Sequence, residues 1–123
     1  MKKYSKSHQW VQVEGETARM GITNYAAEQL GDIVYVELPS LDDPFAAGES
    51  VSVVESVKST SQIYAPVSGV VRKLNEELAN APELLNSDPE GEAWIIELNM
   101  TNSSELDDLM TEGEYLTFIT SNK

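Results

Sequence analysis

Turn-forming residues recur along this chain at intervals that leave room for a short strand between them and little else: Gly15, Gly31, Pro39, Asp42-Asp43-Pro44, Gly48, Gly69, Pro82 and Pro89. The segments between them carry strand composition. Trp10-Val11-Gln12-Val13-Glu14 alternates apolar and polar residues, Glu14 to Thr17 supplies a turn, and Ala18-Arg19-Met20-Gly21-Ile22 alternates again, predicting an opening hairpin. Asp32-Ile33-Val34-Tyr35-Val36-Glu37-Leu38 is dense in β-branched and aromatic residues, and Pro39, which has no N–H for a ladder, ends it. Val70 to Leu74 and Ala93 to Leu98 read as further strands. Strands at such short intervals predict a mainly β sandwich or flattened barrel.

Helical signals are few and short. Thr23 can cap a helix over Asn24 to Leu30, with Gly31 where a left-handed C-terminal residue is wanted. Asn75 to Gly91 reads as an ordered acidic loop broken by Pro82 and Pro89, with one helical turn at Pro82-Glu83-Leu84-Leu85. Ser104 with Asp107, and Thr111 with Glu114, form capping patterns that start short helices covering one side of the sheets.

A chain of 123 residues fits one domain and buries a core without metal or disulfide staples. It contains no cysteine, which excludes disulfides, thiolate metal sites and thiol catalysis, so any sulfur redox chemistry would need a cofactor. With 21 carboxylates against eight Lys and Arg, the formal charge is −13. Twelve of the carboxylates lie between Glu76 and Glu114. Nucleic acid is an unsuitable partner, because phosphate binding needs clustered positive charge. The same charge opposes binding to anionic membranes and favours partners with basic docking faces. No apolar stretch approaches membrane-spanning length and the charged N-terminus has no apolar core behind it, so a cytoplasmic monomer is expected.

Residue constellations for catalysis are absent. His8, the one histidine, has no Cys or second His to complete a zinc site and is read as a capping or packing residue. Asp42-Asp43, Glu76-Glu77 and Asp107-Asp108 are better explained as solvated charges than as a general acid/base pair. Glycines stand singly, never as a phosphate cradle before a helix. Trp10, Tyr35, Phe45, Tyr64, Trp94, Tyr115 and Phe118 are expected mostly in the core. There remains Lys58, the only lysine between Lys6 and Lys73, set between two extended apolar segments at or beside the tip of a hairpin. Taken alone, a loop lysine is more often a solvated surface charge than a site, and spacing does not decide between the two.

The order of motifs adds to this. Ser7-His8-Gln9-Trp10-Val11, Gly21-Ile22-Thr23, Leu30-Gly31-Asp32-Ile33-Val34-Tyr35-Val36-Glu37-Leu38-Pro39, Val54-Glu55-Ser56-Val57-Lys58-Ser59 and Tyr64-Ala65-Pro66-Val67-Ser68-Gly69 follow one another. Asn75-Glu76, Pro82-Glu83-Leu84-Leu85-Asn86 and Gly91-Glu92-Ala93-Trp94-Ile95 come after them. Through nearly its whole length the chain resembles the H proteins of the glycine cleavage system. That resemblance implies one lipoyl-carrier domain over residues 1–123, a barrel-sandwich hybrid of two antiparallel sheets with short flanking helices and a C-terminal helical segment. It implies lipoate on Lys58, attached by a lipoate ligase, transferase or synthase pathway and recognised through Glu55, Ser56, Val57 and Ser59. It also implies a non-catalytic carrier: the arm accepts an aminomethyl group at glycine dehydrogenase (P protein), passes the one-carbon unit to folate at aminomethyltransferase (T protein), and is reoxidised by dihydrolipoamide dehydrogenase (L protein).

Two positions depart from the family pattern. Gln9 stands where a glutamate is usual, and Gln62 where an aspartate is common. By the resemblance, Ser7, His8, Gln9 and Gln62 flank a cleft in which the loaded arm can park. Each lost charge pair would weaken holding by ~1 kcal/mol near water and more if desolvated. The ordinary expectation is that Glu14 or another acid covers the role. The alternative expectation is an H-like lipoyl donor or redox relay with reduced or no glycine cleavage activity.

Overall fold

The computed structural model describes residues 2–121. Among these residues two antiparallel sheets form, as expected from the strand spacing. The larger contains β1 (Lys2–Tyr4), β2 (Gln9–Glu14), β3 (Thr17–Ile22), β5 (Pro44–Phe45), β8 (Gly69–Leu74) and β9 (Ile96–Met100), in the order β1-β2-β3-β9-β8-β5. The smaller is β4 (Ile33–Glu37), β6 (Ser50–Ser56) and β7 (Thr60–Tyr64), in the order β4-β6-β7. Val11, Met20, Val71 and Leu98 from the first sheet and Ile33, Val36, Val54 and Ile63 from the second belong to one buried cluster, the apolar sets dictated by the two-residue period of strands.

The opening hairpin pairs Glu14 with Thr17 across Gly15, whose φ of 60° is the left-handed conformation such a tight turn demands. In the same hairpin Gly21 lies under Trp10: a Cβ there would approach the indole Nε1 to 2.9 Å. That indole is buried and donates its N–H to the Pro89 carbonyl at 2.8 Å.

Helix α1 (Asn24–Leu30) is capped as expected, with the Thr23 hydroxyl accepting from the Ala26 N–H and Gly31 at the C-cap with φ 77°. The stretch from Asn75 to Gly91 is more helical than its prolines suggest. It holds α2 (Glu77–Asn80) and α3 (Leu84–Ser87), which are single turns anchored by the fully buried Leu78 and Leu85. The strand expected from Ala93 begins only at Ile96, because Ala93 and Trp94 turn their N–H groups back onto the carbonyls of Asp88 and Gly91. Ser104 does not cap a helix. Asn102 does, for a 3-10 helix over Ser103–Asp108.

The Thr111 capping box forms as read: Thr111 N–H donates to the Glu114 carboxylate at 2.9 Å and Glu114 N–H to the Thr111 hydroxyl at 3.3 Å. It starts α4 (Glu112–Ser121), which packs Tyr115, Phe118 and Ile119 into a second apolar cluster with Tyr4 and Trp10. Tyr4 and Tyr115 stack with centroids 4.8 Å apart. Two aromatic residues expected in the core lie outside it, Tyr35 at 50% and Tyr64 at 37% exposure, since both stand on the outer face of the smaller sheet.

Candidate functional site

Strands β6 and β7 form the Lys58 hairpin, with Glu55 opposite Thr60 as the last ladder pair. Beyond it the turn is held mainly by Ser56. Its N–H donates to the Ser59 carbonyl at 2.8 Å, and its hydroxyl accepts from the N–H groups of Lys58 at 3.2 Å and Ser59 at 3.1 Å. A serine hydroxyl that takes two consecutive backbone donors closes a turn that has no glycine or proline to close it. Val57, Lys58 and Ser59 are exposed, and Glu55 is exposed on the preceding strand. Sequence reading singled out Glu55, Ser56, Val57 and Ser59, and the fold brings all four around Lys58. Ser56 alone is turned inward as the staple.

The lysine stem lies over the exit of α1. A Cβ on Gly31 would stand 3.0 Å from Lys58 Cε and 3.5 Å from Nζ. The next carbonyl, that of Asp32, accepts the Val57 N–H at 3.0 Å. The apex therefore rests on a defined base.

A cleft of about 300 Å³ opens beside this base, between the β1–β2 turn, α1 and β7. Ile22, Ala26, Leu30 and Ile63 give it an apolar lining, and Ser7, His8, Gln9, Tyr25, Gln29 and Ser61 supply the polar edge. Leu30 lines the cleft and the adjoining Gly31 lies under the lysine, so α1 connects the two. Ser7, His8 and Gln9 all line the cleft. Gln62 is not among the lining residues: β7 alternates, Ser61 and Ile63 face the cleft, and Gln62 is exposed on the other face. Gln62 therefore does not line the cleft with Ser7, His8 and Gln9, the residues that the resemblance groups with it. Ser61, Tyr25 and Gln29 were not anticipated. The period of β7 and the cleft-facing side of α1 are the signals that could have found them.

Gln9 is buried, and its amide is engaged by its own loop. Its Oε1 accepts from the hydroxyls of Ser5 and Ser7, and its Nε2 donates to the Ser7 carbonyl at 2.8 Å. His8, at φ 72°, packs against Tyr25 and Phe118 with ring centroids 4.8 and 6.0 Å away, and its Nδ1 lies 2.8 Å from the Tyr115 hydroxyl. That hydroxyl is in turn 2.8 Å from Thr23 Oγ1. Burial holds the His8 imidazole below its ordinary value, which favours a neutral ring at the cleft wall. A larger depression of about 640 Å³, lined by Trp10, Arg19, Asn75, Glu77, Glu92 and Trp94 among others, includes no residue of the Lys58 hairpin. No group of histidine, aspartate and glutamate side chains suited to a metal occurs among the described residues, and none of their helices is long and apolar enough to cross a membrane.

The profile of the family described as Glycine cleavage H-protein matches residues 2–122. The glycine cleavage system H protein of Thermotoga maritima is 48% identical over 118 residues, covering 96% of this chain and 95% of its own. That of Alkaliphilus oremlandii is 55% identical over 115 residues, covering 94% and 90% respectively. A crystal structure of a glycine cleavage system H protein from Mycobacterium marinum superposes with a TM-score of 0.86 at 34% identity, covering 94% of each chain.

Proposed function

The chain belongs to the glycine cleavage H-protein family, and on that footing we propose that it is a non-catalytic lipoyl carrier whose attachment point is Lys58. The observation that carries this is the stapled apex: one exposed amine on a stiff hairpin, with its base pinned to the exit of α1. The described residues offer no competing constellation.

Each part of the site has a task. Ser56 fixes the turn so that an acylating enzyme meets Lys58 in one geometry, with Glu55, Val57 and Ser59 exposed around it for recognition. Acylation removes the lysine charge and leaves a neutral amide stem. The cleft beside the base has the chemistry an acyl arm needs. Its floor is apolar, its edge carries the Ser7 and Ser61 hydroxyls and the His8 ring, and about 300 Å³ lies at the lower end of the range of ligand pockets. Gln9 holds the β1–β2 turn that forms one wall, so its amide acts mainly through the position of Ser7 and His8. Lipoate, when attached, would supply the thiol–disulfide chemistry by which a one-carbon group passes from the P protein to the T protein and the emptied dithiol is reoxidised at the L protein. The absence of cysteine leaves no thiol on this chain to intercept that exchange.

Residues 1–123 act in this reading as one cytoplasmic, monomeric carrier domain, loaded by a lipoate ligase, transferase or synthase pathway. Its −13 charge speeds encounter with basic docking faces without demanding tight binding. Peptide mapping of protein isolated from its own cells tests the proposal. Lipoate on the peptide containing Lys58 is the expected result. A bare Lys58 in cells whose other lipoyl proteins are modified would overturn it.

A further inference from the structure

The base beneath Lys58 is itself held from outside the hairpin, by a residue of α3. Asn86 donates from Nδ2 to the Gly31 carbonyl at 2.8 Å and accepts at Oδ1 from the Ile33 N–H at 2.9 Å. These two bonds bracket Asp32, whose carbonyl takes the Val57 N–H, and Ile33 is the residue that pairs with Ser56 at the top of the β4–β6 ladder. Asn86 follows the fully buried Leu85, so the side chain reaches out from an anchored turn. A primary amide is the smallest side-chain group that offers both a donor and an acceptor at this spacing. The Gly31 N–H closes the last helical bond onto the Ala27 carbonyl at 3.1 Å, while its own carbonyl, past the helix end at φ 77° and ψ −153°, takes its donor from Asn86, so the brace holds the side of the exit that the helix does not.

The geometry points to Asn86 as a positioning residue for the modification of Lys58, one that sets the base on which the amine is presented. This rests on reading Lys58 as the acyl acceptor. In the modification the neutral amine attacks an activated lipoyl carbonyl. An N–C bond forms, the activating group leaves with its bonding electrons, one amine proton passes to solvent, and nothing is oxidised or reduced. Asn86 touches none of the reacting atoms. It restrains where the apex stands when a modifying enzyme closes on it.

The test uses the full unmodified chain with a lipoate–protein ligase, lipoate and ATP. In Asn86→Ala the ligase kcat/KM should fall on the order of tenfold, since small misplacement of a reacting group is costly. Asn86→Asp keeps the acceptor for Ile33 but loses the donor to Gly31, and should fall less. Acetylation of Lys58 by a small amine-reactive ester should be unchanged, because a reagent without a docking face does not sense apex position. Amide hydrogen exchange should quicken at Ile33 and Val57 and stay as it was at Val11.

Wild-type ligase kinetics in Asn86→Ala would overturn the inference. So would an equal loss in Val71→Ala, a core variant from the other sheet, at matched thermal midpoint. If the wild-type chain is not lipoylated at all, the reading of Lys58 fails separately, and unchanged exchange at Val57 in Asn86→Asp would then overturn the role of Asn86.

Discussion

Replacing Gly31 by alanine probes the base of the site more sharply than any change in the hairpin itself. Gly31 has φ 77° and ψ −153°, a region that is essentially closed to residues with a Cβ. Holding alanine there costs about 2 kcal/mol, within the usual range for such strain. The added methyl would also stand 3.0 Å from Lys58 Cε, but that atom is near the free end of a flexible exposed chain and can move aside, so the contact adds little to the cost. A loss of about 2 kcal/mol in a chain of this length lowers the thermal midpoint by about 8 °C.

The assay is reversible thermal unfolding of Gly31→Ala, with Gly15→Ala as comparison. Gly15 has φ 60° and no neighbour within 4 Å of a built Cβ, so it reports left-handed strain without the lysine contact. Lys58→Ala in the Gly31→Ala background should recover only a few tenths of a kcal/mol, about the usual error of additivity. A Gly31→Ala midpoint within about 1 °C of wild type, on the same scale of ~4 °C per kcal/mol, would refute the reasoning, because the exit of α1 would then tolerate another conformation.

Three further outcomes follow from the same structure. Burial depresses the His8 pKa, so the unfolded chain takes up that proton first as pH falls. Stability is full above about pH 6.5 and declines below it toward the folded value, and His8→Asn, which tolerates the left-handed backbone, should flatten that part of a midpoint-versus-pH curve. Leu85→Ala, at a fully buried position that anchors α3, should cost ~2–5 kcal/mol in denaturant unfolding. Thr111→Ala removes one arm of the capping box and should cost about 1 kcal/mol, read as fraying of α4 by amide exchange at Glu114 and Tyr115.

Legibility from sequence was greatest where the determining interactions are local. The opening hairpin, the Thr23 and Gly31 caps and the Thr111 capping box are each decided within a few residues, by alternation, by a hydroxyl facing orphan N–H groups, or by a glycine where φ is positive. The helical turns α2 and α3 were missed or displaced because each is a single turn, too short for periodicity to register, and is held by one buried leucine apiece. The delayed start of β9 and the outward faces of Tyr35 and Tyr64 were likewise decided by distant partners.

The site divides the same way. Local order along the chain was enough to set one lysine at or beside the tip of a hairpin in an acidic β domain, with Ser56 two residues before it, because strand alternation and turn residues are read within a few positions. The tertiary structure alone decided what lies beneath and beside that lysine. Gly31, Asn86 and Ser61 come from separate elements, and Gln62 turns away because one residue along a strand reverses the face. Those placements depend on how two sheets and α1 pack across the core, a long-range condition that no local stretch of sequence encodes.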